Sequence, residues 1–266
     1  NILKNHNILK NHNILKNHNI LKNPNNQPMT KKIPQIIFQT SHINRDKIPD
    51  LIGEYAEGYD VQFFNDKQCL EFLEKYFKND VISTYKNIEM GAHRADLWRY
   101  CILYIQGGVY LDIKTVLKHK LKDIFKNYND KPTWYTVYSN VVSEGSPPHI
   151  YQGIIATLPR NPIFLELIDF IIKNPKPKSS YNLYTENMYD VINKMYKAKV
   201  KGPGILQCDT SKLVLLEERC TIKGLGTGEC INGNFNKLDR TNKCCNIYST
   251  DYIEPVFIGR DPNYPW

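Results

Sequence analysis

Three side chains between residues 96 and 112 have types and spacings that suit a polyhydroxylated ligand. Asp112 closes the apolar run "GGVYLD", which puts one carboxylate at the end of a strand. Asp96 and Arg99 stand three apart in "ADLWRY", one turn apart on one face of a helix. A carboxylate accepts and a guanidinium donates, so the pair can hold vicinal hydroxyls. Plainer readings stay open. A strand-end aspartate caps a turn, and charged residues on a packed helix, Arg94 included, are often solvated or mutually paired. Lys114 follows two residues after Asp112.

The elements needed to position these groups are legible. Residues 92–106 repeat apolar side chains at helical spacing, stop at Gly107 and Gly108, and run into the strand "VYLDI". "IPQIIFQT" and "DVQFF" read as strands, and residues 65–80 as one helix capped by Asn65 or Asp66. "YQGIIATL" is a strand, "NPIFLELIDFIIKN" a helix opened by Asn161 and Pro162, and residues 183–199 a further helix before short strands with Gly-rich turns. The pattern predicts an α/β fold with a β-rich C-terminal part, in which ligands gather at the carboxyl ends of strands.

Composition narrows the function classes. The net charge of +8 falls to +4 without residues 1–28, which carry four lysines and no acid, and no basic cluster interleaves with aromatics. Nucleic acid is not an expected partner, and no apolar stretch approaches a membrane span. Residues 1–24 are four hexads, "NILKNH" three times and then "NILKNP". Two apolar residues in six match neither helix nor strand, so residues 1–28 are expected to form a low-complexity disordered tail and residues 29–266 a single domain. The histidines of the hexads read as repeat expansion before metal binding. Five of the seven cysteines fall between Cys208 and Cys245 without a CxxC pair, which argues against zinc and leaves disulfides and free thiols open. No GxxxxGK[ST] and no Asn-x-Ser/Thr sequon occurs; a cytoplasmic setting is expected. The Asn- and Lys-rich repeat suggests an AT-rich genome, that of a microbe or a large virus.

The block "AHRADLWRYCILYIQGGVYLDIKT", led by "KIPQIIFQT" and followed by "VKGPG", resembles glycosyltransferase family 32, the enzymes with a DXD sugar-binding region. The resemblance is dense over residues 32–115. It implies a GT-A type, Rossmann-like nucleotide-sugar-binding fold, a UDP- or GDP-linked donor, retention at the anomeric carbon, and a glycan, lipid or protein hydroxyl as acceptor. By the same resemblance Arg94, Asp96, Arg99 and Gln152 hold the donor sugar. Phe38, Gln39, Thr40, Gly202, Pro203, Gly204 and Trp266 line the nucleotide, and Asp112 with Asp261 holds a divalent metal, Mn or Mg.

Lys114 departs from the pattern, because the last acid of a DXD ligates the metal and an ammonium repels one. Three explanations remain: Lys114 neutralises the diphosphate itself, the ion sits on Asp112 and Asp261, or the protein binds donor without turnover. His93 reads as a surface or helix-start group. His149 belongs to a sugar-facing strand by the resemblance, and the Tyr-rich run 179–190 reads equally as an acceptor platform or an ordinary helix.

Overall fold

The computed structural model describes residues 20–22, 32–42, 50–126, 131–139, 149–175, 181–220, 245–252 and 254–258. The first strand, β1 (Ile36–Thr40), lies between β2 (Asp60–Phe64) and β3 (Gly108–Leu111), parallel to both. The chain thus leaves β1 to one side and returns on the other, which opens a crevice at the carboxyl end of β1. Beyond β3 the sheet continues as β6 (His149–Thr157), β5 (Thr133–Ser139), β8 (Lys212–Cys220), β9 (Cys245–Tyr248), β10 (Phe257–Ile258) and β4 (Val116–Leu117), and β7 (Gly204–Gln207) pairs with β8. Apart from the parallel β5–β8 pair these pairings are antiparallel. The result is the expected α/β, Rossmann-like arrangement with a β-rich C-terminal part, on a mixed sheet.

Strand alternation divides the core. Phe38 and Tyr110 face one apolar layer, and Ile37, Val109 and Leu111 face the other. The first layer is covered by α1 (Asp66–Tyr76), α2 (Asn79–Asn87), α3 (Gly91–Gln106), α5 (Ile163–Lys173) and α6 (Leu183–Tyr196); the second holds the short α4 (Leu121–Ile124). Among the described residues no helix is long and apolar enough to cross a membrane.

α3 is the central helix, and every residue from Asp96 to Ile105 is buried. It stops where Gly107 takes φ 65°, and Gly108 follows at φ 95°. A Cβ at Gly107 would lie 2.5 Å from the Pro159 nitrogen, and one at Gly108 would lie 2.8 Å from the Ile36 carbonyl oxygen. Both the backbone angle and the space require glycine here, and this abrupt turn sends β3 directly beneath the helix it leaves.

Two expectations change. The single helix over residues 65–80 is divided, because Phe77 and Lys78 are extended between α1 and α2. Asn65 caps α1 in a reciprocal box, its Oδ1 accepting from Gln68 N–H and the Gln68 Oε1 accepting from Asn65 N–H, each at 3.0 Å. Within the stretch expected to be a tail, Ile20 and Leu21 are buried against the domain, while the expected boundary at residue 28 lies outside the described residues. A two-in-six pattern cannot build a core of its own, but it can fill a groove formed by others.

Candidate active site

Arg99 is the hub of the site. It projects from α3 and is 5% exposed. Its Nη2 lies 3.3 Å from Asp96 Oδ1 and 3.4 Å from Asp112 Oδ1. Nη1 donates to the Gln152 carbonyl at 2.6 Å, Nε to the Ala95 carbonyl at 3.3 Å, and the guanidinium sits 4.4 Å over the Tyr110 ring. One cation therefore ties a helix acid, a strand-end acid and strand β6 together. Burial alone would push its pKa down, but Tyr110, Asp112 and Asp96 outweigh that and hold it above its ordinary value. Burial raises the Asp96 carboxyl pKa, and the Arg99 and His93 charges partly oppose the rise.

Asp112 is fixed by its backbone. Its N–H donates to the Gly153 carbonyl at 2.7 Å, continuing the β3–β6 ladder, and its own carbonyl accepts from Thr115 N–H at 2.9 Å. That bond closes a turn with Ile113 and Lys114 at its two corners, so Lys114 stands on the rim immediately beyond the Asp112 carboxylate.

The other expected residues divide. Gln152 is buried beside the hub; its Nε2 donates to the Tyr184 carbonyl at 2.9 Å, while Oε1 is buried with no protein partner. A buried acceptor left open in this way fits a hydroxyl of a bound ligand. Thr40 ends β1 with its hydroxyl 3.3 Å from Cys69 Sγ of α1, and Gln39 is buried. Phe38 is fully buried in the helical-side core, so its ring is a packing group and not a platform for a base. Arg94 turns away to Asp66 at 3.0 Å and to the Ile88 and Glu89 carbonyls, fastening α1 to α3. Gly202, Pro203 and Gly204 lead into β7, which the order β3-β6-β5-β8-β7 sets four strands, roughly 19 Å, from β3. Asp261 and Trp266 lie outside the described residues, as do the side chains of the Cys-rich stretch beyond Cys208.

Among the described residues no group of three His, Cys, Asp or Glu gathers to hold a metal ion. Asp112 has one oxygen facing Arg99, and Asp261, the other residue expected to hold a divalent cation, lies outside the described residues.

Sequence reasoning missed four groups. His93, read as a surface or helix-start group, stands in the first turn of α3 and is buried. Its Nε2 donates to the Tyr181 carbonyl at 3.1 Å, and its ring meets Tyr184 edge-on at 5.0 Å, which locks the start of α6 against α3. Tyr151 and Gly153 are the second and third. A Cβ built on Gly153 would lie 2.2 Å from the Tyr151 hydroxyl and 2.7 Å from Asp112 Oδ2. The two oxygens therefore share the space over this glycine, and Asp112 has Arg99 on one oxygen and the Tyr151 hydroxyl near the other. A glycine inside the strand run "IYQGII" was the available signal for such a close approach. Gly153→Ala is expected to displace the carboxylate and lower turnover about a hundredfold, with the chain still folded by circular dichroism. The fourth is Ser139, whose hydroxyl donates to Glu218 Oε2 at 2.6 Å, both buried at the carboxyl ends of β5 and β8. No sequence pattern joins two residues 79 apart.

Residues 6–131 match the family model described as the glycosyltransferase sugar-binding region containing a DXD motif. An uncharacterized glycosyltransferase of Acanthamoeba polyphaga mimivirus is 29% identical over 151 residues, 53% of this chain and 55% of that protein. A mannosyl phosphorylinositol ceramide synthase of Saccharomyces cerevisiae is 26% identical over 155 residues, 54% and 36% of the two chains. The initiation-specific alpha-1,6-mannosyltransferase of Schizosaccharomyces pombe is 26% identical over 167 residues, 53% and 40%. The chain thus spans about half the length of the viral relative and less of the yeast ones. Among solved structures, the PaToxG glycosyltransferase superposes with a TM-score of 0.43 at 15% identity, over 73% of this chain and 83% of that one. A glycosyltransferase involved in glycosylation of the PBCV-1 major capsid gives 0.40 at 12%, over 68% and 81%. Residues 6–131, which include Asp96, Arg99 and Asp112, are thus similar to the sugar-binding region of glycosyltransferases that contains a DXD motif.

Proposed function

We propose that the chain transfers a hexosyl or N-acetylhexosaminyl group from a UDP- or GDP-linked sugar to a hydroxyl of a glycan, lipid or protein, with retention at the anomeric carbon. The observation that carries this reading is the single buried guanidinium of Arg99 bound to both Asp96 and Asp112 in the family's sugar-binding region. Sugar hydroxyls donate to the two carboxylates and to Gln152 Oε1, and the fixed Arg99 holds these acceptors in register, so positioning lowers the barrier before any bond changes.

The bond from the anomeric carbon to the diphosphate oxygen breaks as the bond to the acceptor oxygen forms on the same face. The acceptor proton passes to the departing phosphate oxygen, and no further base is needed. Charge developing on the diphosphate meets the Lys114 ammonium, which takes the place of the second DXD acid and of the cation that acid would hold. No step runs through a metal ion. Lys114 also favours a second reading, a donor-binding protein without turnover.

A panel of UDP- and GDP-linked sugars, read for released nucleoside diphosphate and for binding by calorimetry, separates the two. Release from at least one donor is expected. Binding with no release from any donor would leave the second reading standing.

A further inference from the structure

Among the described residues, the last hexad of the amino-terminal repeat is held through Ile20, Leu21 and Lys22, which are common to all four hexads. Leu21 pairs with Phe77 as an antiparallel bridge, on the two extended residues between α1 and α2. Lys22 N–H donates to the Tyr76 carbonyl at 3.0 Å, and Lys78 N–H donates to the Ile20 carbonyl at 2.7 Å. A carbonyl at the end of α1 and an amide at the start of α2 thereby gain partners that neither helix supplies. Leu21 is 1% exposed, and Ile20 and Leu21 join Phe72, Leu73, Phe77 and Val81 in the core, while the Lys22 ammonium donates to the Glu74 carbonyl. The groove therefore reads two apolar side chains, two main-chain bonds and one ammonium.

The same Ile-Leu-Lys triad recurs at residues 2–4, 8–10 and 14–16, each with asparagine on both sides. Among the described residues, no contact to residues 20–22 distinguishes them from these copies. Using residues 14–16 instead lengthens the connection to β1 by one hexad, and loop-closure entropy makes that about a twofold loss in occupancy.

We propose that the groove between α1 and α2 is a binding site for the Ile-Leu-Lys triad as such, which the triads at 14–16, 8–10 and 2–4 fill in place of residues 20–22 of the same chain. The repeat is then a set of interchangeable anchors, and the loss of one leaves the groove filled by the next.

The test uses the full chain, with thermal unfolding and hydrogen exchange at the Lys78 amide as readouts. Leu21→Asp puts a charge into the fourth triad alone. It is expected to melt within a few degrees of the parent and to lose only about twofold of the Lys78 protection, because Leu15 replaces Leu21. The variant carrying Leu3→Asp, Leu9→Asp, Leu15→Asp and Leu21→Asp together is expected to lose that protection and to melt well below Leu21→Asp. Equal losses in the single and quadruple variants would overturn the proposal, since the groove would then accept only residues 20–22. Protection in Leu21→Asp that depends on protein concentration would also overturn it, because the triad would come from a second copy.

Discussion

Arg99→Met is expected to destabilise the fold by about 3–5 kcal/mol at neutral pH and to abolish donor binding. The guanidinium is buried and stands between two carboxylates, with Asp96 buried and Asp112 one-third exposed. Removing it leaves the Asp96 charge without a counter-ion and the Gln152 carbonyl without its donor. The loss depends on pH in a definite direction. Burial already raises the folded-state Asp96 pKa above its ordinary 3.8, and removing the cation that opposes the rise moves it further. A carboxyl with a raised folded pKa contributes stability that is complete below the unfolded value and is lost as pH rises through the folded one. Denaturation curves should therefore show the gap between parent and variant widening from pH 4 to pH 7. A gap constant across that range would mean that Asp96 is not the group left uncompensated. Arg99→Lys keeps a charge but not the planar fork that reaches Asp96, Asp112 and Gln152 together, so it should recover part of the stability and none of the binding.

Asp112→Asn separates chemistry from folding. An asparagine keeps the N–H bond to Gly153 and the carbonyl that closes the turn with Thr115. The Arg99–Asp112 contact is partly solvated, so its loss should cost no more than about 1 kcal/mol. Transfer depends on the carboxylate itself and is expected to fall at least about a hundredfold. Steady-state turnover with the parent's best donor, beside a melting curve, checks both. Near-normal turnover in a folded Asp112→Asn would remove Asp112 from the reaction.

The parts of the site set by local pattern were legible in the sequence. Asp96 and Arg99 share a helix face through their spacing, and the Gly107–Gly108 stop fixes how α3 feeds β3 and delivers Asp112 to the rim. What depends on pairing between distant strands was not. Tyr151 reads as one of 18 tyrosines until β6 runs antiparallel to β3 and brings its hydroxyl over Gly153 beside Asp112. Gly202, Pro203 and Gly204 match a donor-side turn by the family resemblance, yet among the described residues β7 pairs only with β8, at a distance from β3 that no local pattern encodes. Phe77 continues the apolar period of α1, which hides the extended break that Leu21 occupies from 56 residues away in the chain. Arg94 belongs to the same motif as Asp96, but the Asn65 cap places Asp66 within its reach, and that ion pair sets its direction.

The charge on Lys114 is the feature on which the catalytic reading turns. Release of UDP or GDP from the preferred donor should be measured with manganese and with EDTA, for the parent chain and for Lys114→Ala. Release that persists in EDTA and is lost in Lys114→Ala is the expected result, because the ammonium then does the work of the cation. Release that requires manganese and survives Lys114→Ala would assign that charge to a metal ion and leave Lys114 without a part in the reaction.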